Sequence, residues 1–258
     1  MLEYGQSSLC VVQICPEKNM SKTSSKQLDL IAQNDFYETD TNSVTVQYSH
    51  DIFSRHFREG SILELGPAEG VMTERLYYDG VDMTAVEGSK LFCDMLKNKF
   101  PDLTVHHSLF EEYQPDRTFD NIVLGHVLEH VDDVVQILSL CKTWLSEGGR
   151  VFTAVPNAMS LHRQGAVIMG LLDSEKTMSE LDYRYGHQRV FDPISFRESF
   201  TKAGLWIERF GGYWLKPVSN GQIEKNWNRE MLDAFMKLGE RYPDIAGEIY
   251  VIAGHPEQ

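Results

Sequence analysis

The stretch "SILELGPAEG", residues 61–70, runs apolar strand formers into an acidic side chain, Glu64, and then into a turn holding Gly66, Pro67 and Gly70. The pattern reads as a buried strand feeding a tight turn, with a helix to follow. The glycines let the backbone turn sharply and approach a ligand, and the start of the helix offers free N–H groups. A dinucleotide site would use such a turn for pyrophosphate, but with GxGxxG spacing. Here the spacing is GxxxG behind Glu64, and a carboxylate facing a phosphate repels it. The turn suits a ligand with an ammonium or sulfonium group instead. Glu64 as a merely solvated strand-end carboxylate is the plainer alternative.

A second acid, Glu87, closes the next apolar run, "MTAVEG", 17 residues after Gly70. A carboxylate at that place in a βαβ unit can accept both hydroxyls of a ribose. The two acids together describe a nucleoside that is cationic rather than phosphorylated, and S-adenosylmethionine meets both conditions.

The same rhythm continues outward. "SKLFCDMLKNKF" reads as a helix, "LTVHH" and "FDNIVLG" as strands, and Val134, Leu138, Cys141 and Leu145 mark one face of a helix that Asp132 can cap and Gly148 can end. "RVFTAVP" supplies another strand. Strands alternating with helices imply a parallel α/β sheet covered on both faces, with ligands outside the strands' carboxyl ends. Residues 157–191 are too long for an αβ connection and read as an insertion with its own helix. A helix capped by Asp192 with Pro193 in its first turn, the run "LWIERFGGYWL", a helix around "REMLDAFMKLGERY" and the strand "EIYVIAG" complete the chain. Residues 1–25 read as a flexible lead-in and 26–258 as one domain.

Across roughly residues 45–155 the sequence resembles the class I S-adenosylmethionine-dependent methyltransferases, in particular the small-molecule "LEHV" group of methyltransferase type 11/12. "LELGPAEG", "AVEGS", "HHSLFEEY" and "FDNIVLGHVLEHVDD" carry the likeness in family order. It implies a Rossmann-like, seven-stranded, mostly parallel sheet with helices on both faces, an antiparallel last strand and an active-site insertion after strand 5. It also implies a cofactor site of Glu64, Gly66, Gly70, Glu87, Gly88, Ser108, Leu109, Phe110 and Gly125, with Tyr48 in a lid segment. Phe110 as plain core is the competing reading. Two departures stand out: Pro67 and Ala68 replace a glycine-rich continuation, and Ser108 stands where an Asp beside the adenine is usual.

His126, just past the fourth strand, borders the methyl position in the resembling family and is the first candidate for a general base; His187 is the second. His126 and His130 are spaced four apart, but without an evident third ligand the expectation is no metal. His162, Arg163, Tyr183, Arg184 and Arg189 in the insertion, with Tyr213 and Lys216 beyond it, are candidates for holding an anionic substrate group. The alternative is that they pair with Glu180, Asp182 and Asp192 to fasten the insertion. The expected activity is methyl transfer to an oxygen or nitrogen of a small carboxylate- or phosphonate-bearing metabolite, in natural-product biosynthesis, with S-adenosylhomocysteine as product. A quinone-ring O-methyltransferase and a non-catalytic S-adenosylmethionine-binding regulator are the rivals.

A formal charge of -14 over 258 residues argues against nucleic acid as a partner. The longest apolar stretches fall well short of the roughly 20 residues that span a bilayer. Four cysteines without metal spacing, Cys10, Cys15, Cys93 and Cys141, fit reduced thiols in a cytoplasm. Monomer and homodimer are both open.

Overall fold

The computed structural model describes residues 23–33, 40–78 and 82–256. Cys10, Cys15 and most of the expected lead-in lie outside the described residues. Two helices absent from the sequence expectation come first, α1 (Ser25–Ala32) and α2 (Asp40–Phe53). The expected alternation follows as β1 (Ile62–Leu65), α3 (Val71–Tyr78), β2 (Met83–Glu87), α4 (Lys90–Lys99), β3 (Thr104–His107), β4 (Phe119–Gly125), α5 (Val134–Trp144) and β5 (Leu145–Pro156). Two short helices, α6 (Leu161–Ile168) and α7 (Glu180–Arg184), occupy the segment after β5. Then come α8 (Pro193–Lys202), β6 (Trp206–Tyr213), α9 (Asn220–Asn226), α10 (Arg229–Gly239) and β7 (Glu248–Gly254).

The strands form one seven-stranded sheet in the order β3-β2-β1-β4-β5-β7-β6. β7 runs antiparallel to both β5 and β6, and the remaining pairs are parallel. Strand order reverses between β1 and β4, which places a crevice beyond their carboxyl ends.

All four β1 residues are buried, and alternation divides them between two cores. Ile62 packs with Met83, Val123, Phe152 and the inner faces of α2, α3 and α10. Leu63 and Leu65 pack with Ile122, Leu124, α5 and α8 on the other face. Each such aliphatic side chain stabilises the fold by about 1.5–3 kcal/mol. Both faces must therefore be covered, which explains the near-continuous apolar runs.

Helix starts follow local chemistry. The Ser89 hydroxyl accepts from Phe92 N–H at α4. At α8, Asp192 accepts from the Ile194 and Ser195 amides while Ser195 reaches back, and Pro193 takes the first turn. Two expected details of α5 differ. Its cap is Asp133, which accepts from Gln136 N–H at 2.9 Å, because Asp132 is engaged by Thr23 and Gln188. It ends at Trp144 rather than at Gly148, because Leu145 already pairs with Phe119 in the sheet; Gly148 sits inside β5 with φ +71°. Cys93 and Cys141 are buried, and burial pushes the Cys93 thiol up to about 11. Among the described residues no helix is long and apolar enough to cross a membrane.

Candidate active site

A cavity of about 610 Å³ opens beyond the carboxyl ends of β1, β2 and β4. Its turn is built from left-handed backbone at Gly66 (φ +69°), Ala68 (φ +48°) and Gly70 (φ +83°). A Cβ on Gly66 would sit 3.0 Å from Val127 Cγ2, and one on Gly70 would sit 3.0 Å from both Leu96 and Phe100. A methyl at either place would crowd these side chains by a few tenths of an ångström, in addition to the φ that favours glycine. Ala68 keeps its unusual conformation by donating its N–H to Glu87 Oε2 at 3.1 Å, while Ser89 N–H donates to Oε1 at 2.8 Å. These amides fix the Glu87 carboxylate and leave each oxygen a further lone pair for a diol. Burial raises the Glu87 carboxyl, with these backbone bonds opposing.

Glu64 faces the same cavity and accepts from Thr73 Oγ1 at 2.7 Å. Burial pushes its carboxyl up to about 8; Thr73 opposes the shift and the nearby Glu87 charge adds to it. A buried acid in that state gains most from a cationic neighbour, which restores its ionised form. Gly88, Ser108, Leu109, Phe110 and Gly125 line the cavity as well, with Ser108 Oγ turned to the Leu109 carbonyl. The cradle therefore fits a cationic nucleoside: one carboxylate, Glu87, placed for a diol, a second, Glu64, for the cationic end, and an apolar slot.

Sequence reasoning missed the cover. Leu28 and Ile31 of α1 line the cavity, and Asp29 accepts from Ser89 Oγ at 2.6 Å. No motif marks α1; its amphipathic pattern is the sole signal. Tyr48, expected in this role, instead donates to Glu240 Oε1 at 2.5 Å and stacks on Tyr213, because α2 turns that face towards α10. Val46, two residues earlier, reaches the cavity.

A second cavity, of about 350 Å³, shares Val46, His126 and His130 with the first. It is walled by α2, the segment after β5, and residues around Trp214, Lys216 and Glu248. His126 stands at the junction with left-handed backbone (φ +59°), anchored by its N–H to the Ala154 carbonyl at 2.9 Å. Its Nε2 lies 3.0 Å from the Tyr213 hydroxyl, and its Nδ1 lies 3.6 Å from Glu129 Oε1 and 3.8 Å from Glu248 Oε2. Burial disfavours the imidazolium, but the two carboxylates outweigh it and raise the His126 pKa. Burial lifts Glu248 to about 7, with His126 and Lys216 opposing. Despite its burial, Glu129 is held below the usual carboxylate range by His126. Burial drops His130 to about 4 and Lys216 to about 8.

A family profile described as a methyltransferase domain matches residues 41–209. The chain belongs to that family. The fold and the match make it an S-adenosylmethionine-dependent methyltransferase. The ubiquinone biosynthesis O-methyltransferase of Rickettsia akari is 22% identical over 212 residues, covering 78% of this chain and 80% of the relative. A putative methyltransferase solved with the Haloferax volcanii Trm112 activator superposes with TM-score 0.63 at 14% identity, covering 92% of this chain and 99% of the other. The glycopeptide N-methyltransferase MtfA, solved with sinefungin, gives 0.55 at 12%, covering 83% and 87%.

In the methyltransferase several expected substrate residues are committed elsewhere. Arg163 donates to the Glu175 carbonyl at 2.8 Å, to the Thr177 carbonyl and to Asp182 at 3.4 Å. Arg189 donates to the carbonyls of Leu128, Val131 and Asp132. Both arginines fasten the segment after β5, Arg163 in part through Asp182 as the alternative reading held and Arg189 through backbone carbonyls instead, although Arg163 also touches the second cavity. Tyr183 is 67% exposed, and Arg184 is exposed too; neither lines either cavity. Tyr213 is fully buried behind His126 and orients it rather than forming a wall. His162, His187 and Lys216 do line the second cavity. Burial, then Lys216 and Arg163, hold His162 far below the usual histidine range.

Proposed function

We propose that the enzyme methylates an oxygen or nitrogen of a small polar metabolite whose anionic group reaches Lys216. The observation that carries this reading is the junction: the cofactor cavity and a 350 Å³ chamber meet at His126. S-adenosylmethionine supplies an electrophilic methyl group on a sulfonium. Glu87 holds the ribose, Glu64 favours the cationic end, and the glycine turn lets the backbone close on both. His126 takes the proton of an acceptor hydroxyl. Glu129 and Glu248 stabilise the resulting imidazolium, and Tyr213 fixes its ring. In-line alignment and exclusion of water supply the rest of the rate.

Lys216 supports the anionic group. It is buried, stacks over the Trp214 ring at 4.8 Å, and has no carboxylate within salt-bridge distance among the described residues. A buried ammonium of this kind gains from an anion that enters with the substrate.

A second reading, methylation of a ring hydroxyl, draws on the ubiquinone O-methyltransferase relatives and on Ala166, Leu172, Leu181 and Trp214 in the chamber wall. Incubation with deuterium-labelled S-adenosylmethionine and a panel of hydroxy acids, amino acids, phosphonates and neutral phenols separates the two. Labelled product from the acids supports the first reading. Turnover confined to neutral phenols replaces it with the second.

A further inference from the structure

We propose that Glu129, His130 and His187 form a binding site for a divalent first-row transition metal of the zinc class, set in the floor of the acceptor chamber. One ligand atom from each lies within 4.8 Å of the other two. Two imidazoles and one carboxylate are a donor set that such ions favour over magnesium or calcium, which prefer oxygen alone.

The surroundings complete the case. A histidine that binds metal through one ring nitrogen typically hands the other to a carboxylate or a backbone carbonyl, which fixes its tautomer. His187 does this: its Nδ1 lies 3.1 Å from Asp182 Oδ1, which leaves Nε2 for the cluster. Asp182 is itself pinned, by Ser179 and Arg163. His130 shares a hydrogen bond with the Gly186 backbone. Glu129 keeps Oε1 near His126, while its Oε2 is buried without a hydrogen-bond partner, an arrangement that is costly unless something charged or polar meets it.

The trio is also held in place from outside. Gln188 N–H donates to the Glu129 carbonyl at 2.8 Å, and Arg189 holds the carbonyls of Leu128, Val131 and Asp132. The segment after β5 is thereby tied to the loop after β4, and His187 is brought to two residues 57 and 58 positions away. Bonds of about 2.1 Å at tetrahedral angles would draw the ligand atoms to about 3.4 Å apart.

The site lies beside His126 and therefore deepens the proposed reaction, on which its catalytic role rests. An ion there would hold an acceptor hydroxyl and increase its acidity. The hydroxyl proton passes to His126 as the oxygen attacks the methyl carbon. The carbon–sulfur bond breaks with its electron pair staying on sulfur.

The test uses untagged full-length protein stripped with chelator and titrated with Co²⁺, read by visible absorption, then with Zn²⁺ by calorimetry. Stoichiometric cobalt uptake displaced by zinc is expected, with affinity weakened about 100-fold in both His187→Ala and Glu129→Gln. Absence of stoichiometric uptake, or two folded variants that bind as tightly as wild type, overturns the site. Circular-dichroism thermal melting serves as the fold control. If His187→Ala unfolds, His130→Asn, which can keep the Gly186 bond, replaces it. Intact cofactor binding and turnover with no metal uptake would sink the site and spare the methyltransferase reading. Metal uptake with a turnover rate indifferent to chelation would overturn the catalytic role.

Discussion

The 610 Å³ cavity takes most of its wall from strand ends and turns between residues 64 and 136, under a cover of Thr23, α1 and Val46, whereas the 350 Å³ chamber gathers α2, residues 126–130, the segment after β5, and positions 214–221 and 247–248. Beneath its helical cover the first is built of short motifs, each a strand followed at once by its turn. The second exists only when segments far apart in sequence have docked. A fold shared with relatives at 22% identity or less can thus keep one cavity while the other is free to change with the acceptor.

Four substitutions test that division, beginning with the junction. His126→Gln should lower kcat about 100- to 10,000-fold, as removal of a general base does, while S-adenosylhomocysteine affinity stays within a few-fold. Steady-state kinetics beside calorimetry would show it; a parallel loss of both would mean the cavities are not separable there. Glu87→Ala should weaken S-adenosylhomocysteine by roughly 100-fold, since it removes charged acceptors from the ribose and releases Ala68 and Ser89 as well. Unchanged affinity would move the ribose elsewhere.

Lys216→Met should raise KM for an anionic acceptor about 10-fold with cofactor affinity unaltered. An equal rise for a neutral phenol would show that Lys216 acts through packing on Trp214 rather than through charge. Glu64→Gln should weaken S-adenosylmethionine only a few-fold at pH 7, the smallest of the four effects, because a carboxyl raised to about 8 must first give up its proton to meet the cation, which offsets part of the attraction. The sign follows from the shift. A carboxyl raised above its unfolded value stabilises the ligand-free protein fully at low pH and loses that contribution as pH climbs through about 8. The melting temperature of ligand-free wild type should therefore fall relative to Glu64→Gln between pH 5 and 9. Parallel curves would place the Glu64 pKa near its ordinary value.

How much was legible in the sequence follows the same division. Glu64, Gly66, Glu87 and Gly88 line the first cavity, because a strand end and its turn are fixed by a few consecutive residues, while Gly70 does not line it and shapes the turn from behind, against Leu96 and Phe100. The parallel strands followed from their apolar runs for a like reason, whereas the seven-strand count and the antiparallel last strand came from the family resemblance. Arg163 and Arg189 were a different matter. Composition shows that a guanidinium is present but not that carbonyls of Glu175 or Leu128 will have claimed it. Tyr48 failed by a fraction of a helical turn, since Val46 of the same helix reaches the cavity. Glu129 was hidden within the LEHV run; that it meets His187 depends on the hydrogen bonds of Gln188 and Arg189, which no spacing rule encodes.

Gln188 also donates to Thr23, just ahead of α1, and to Asp132, which Thr23 itself engages through both its N–H and its hydroxyl. Lifting α1 from the cofactor therefore breaks bonds to the very segment that walls the acceptor. One hydrogen-bonded cluster of Thr23, Asp132 and Gln188 thus joins the cover of the first cavity to the wall of the second.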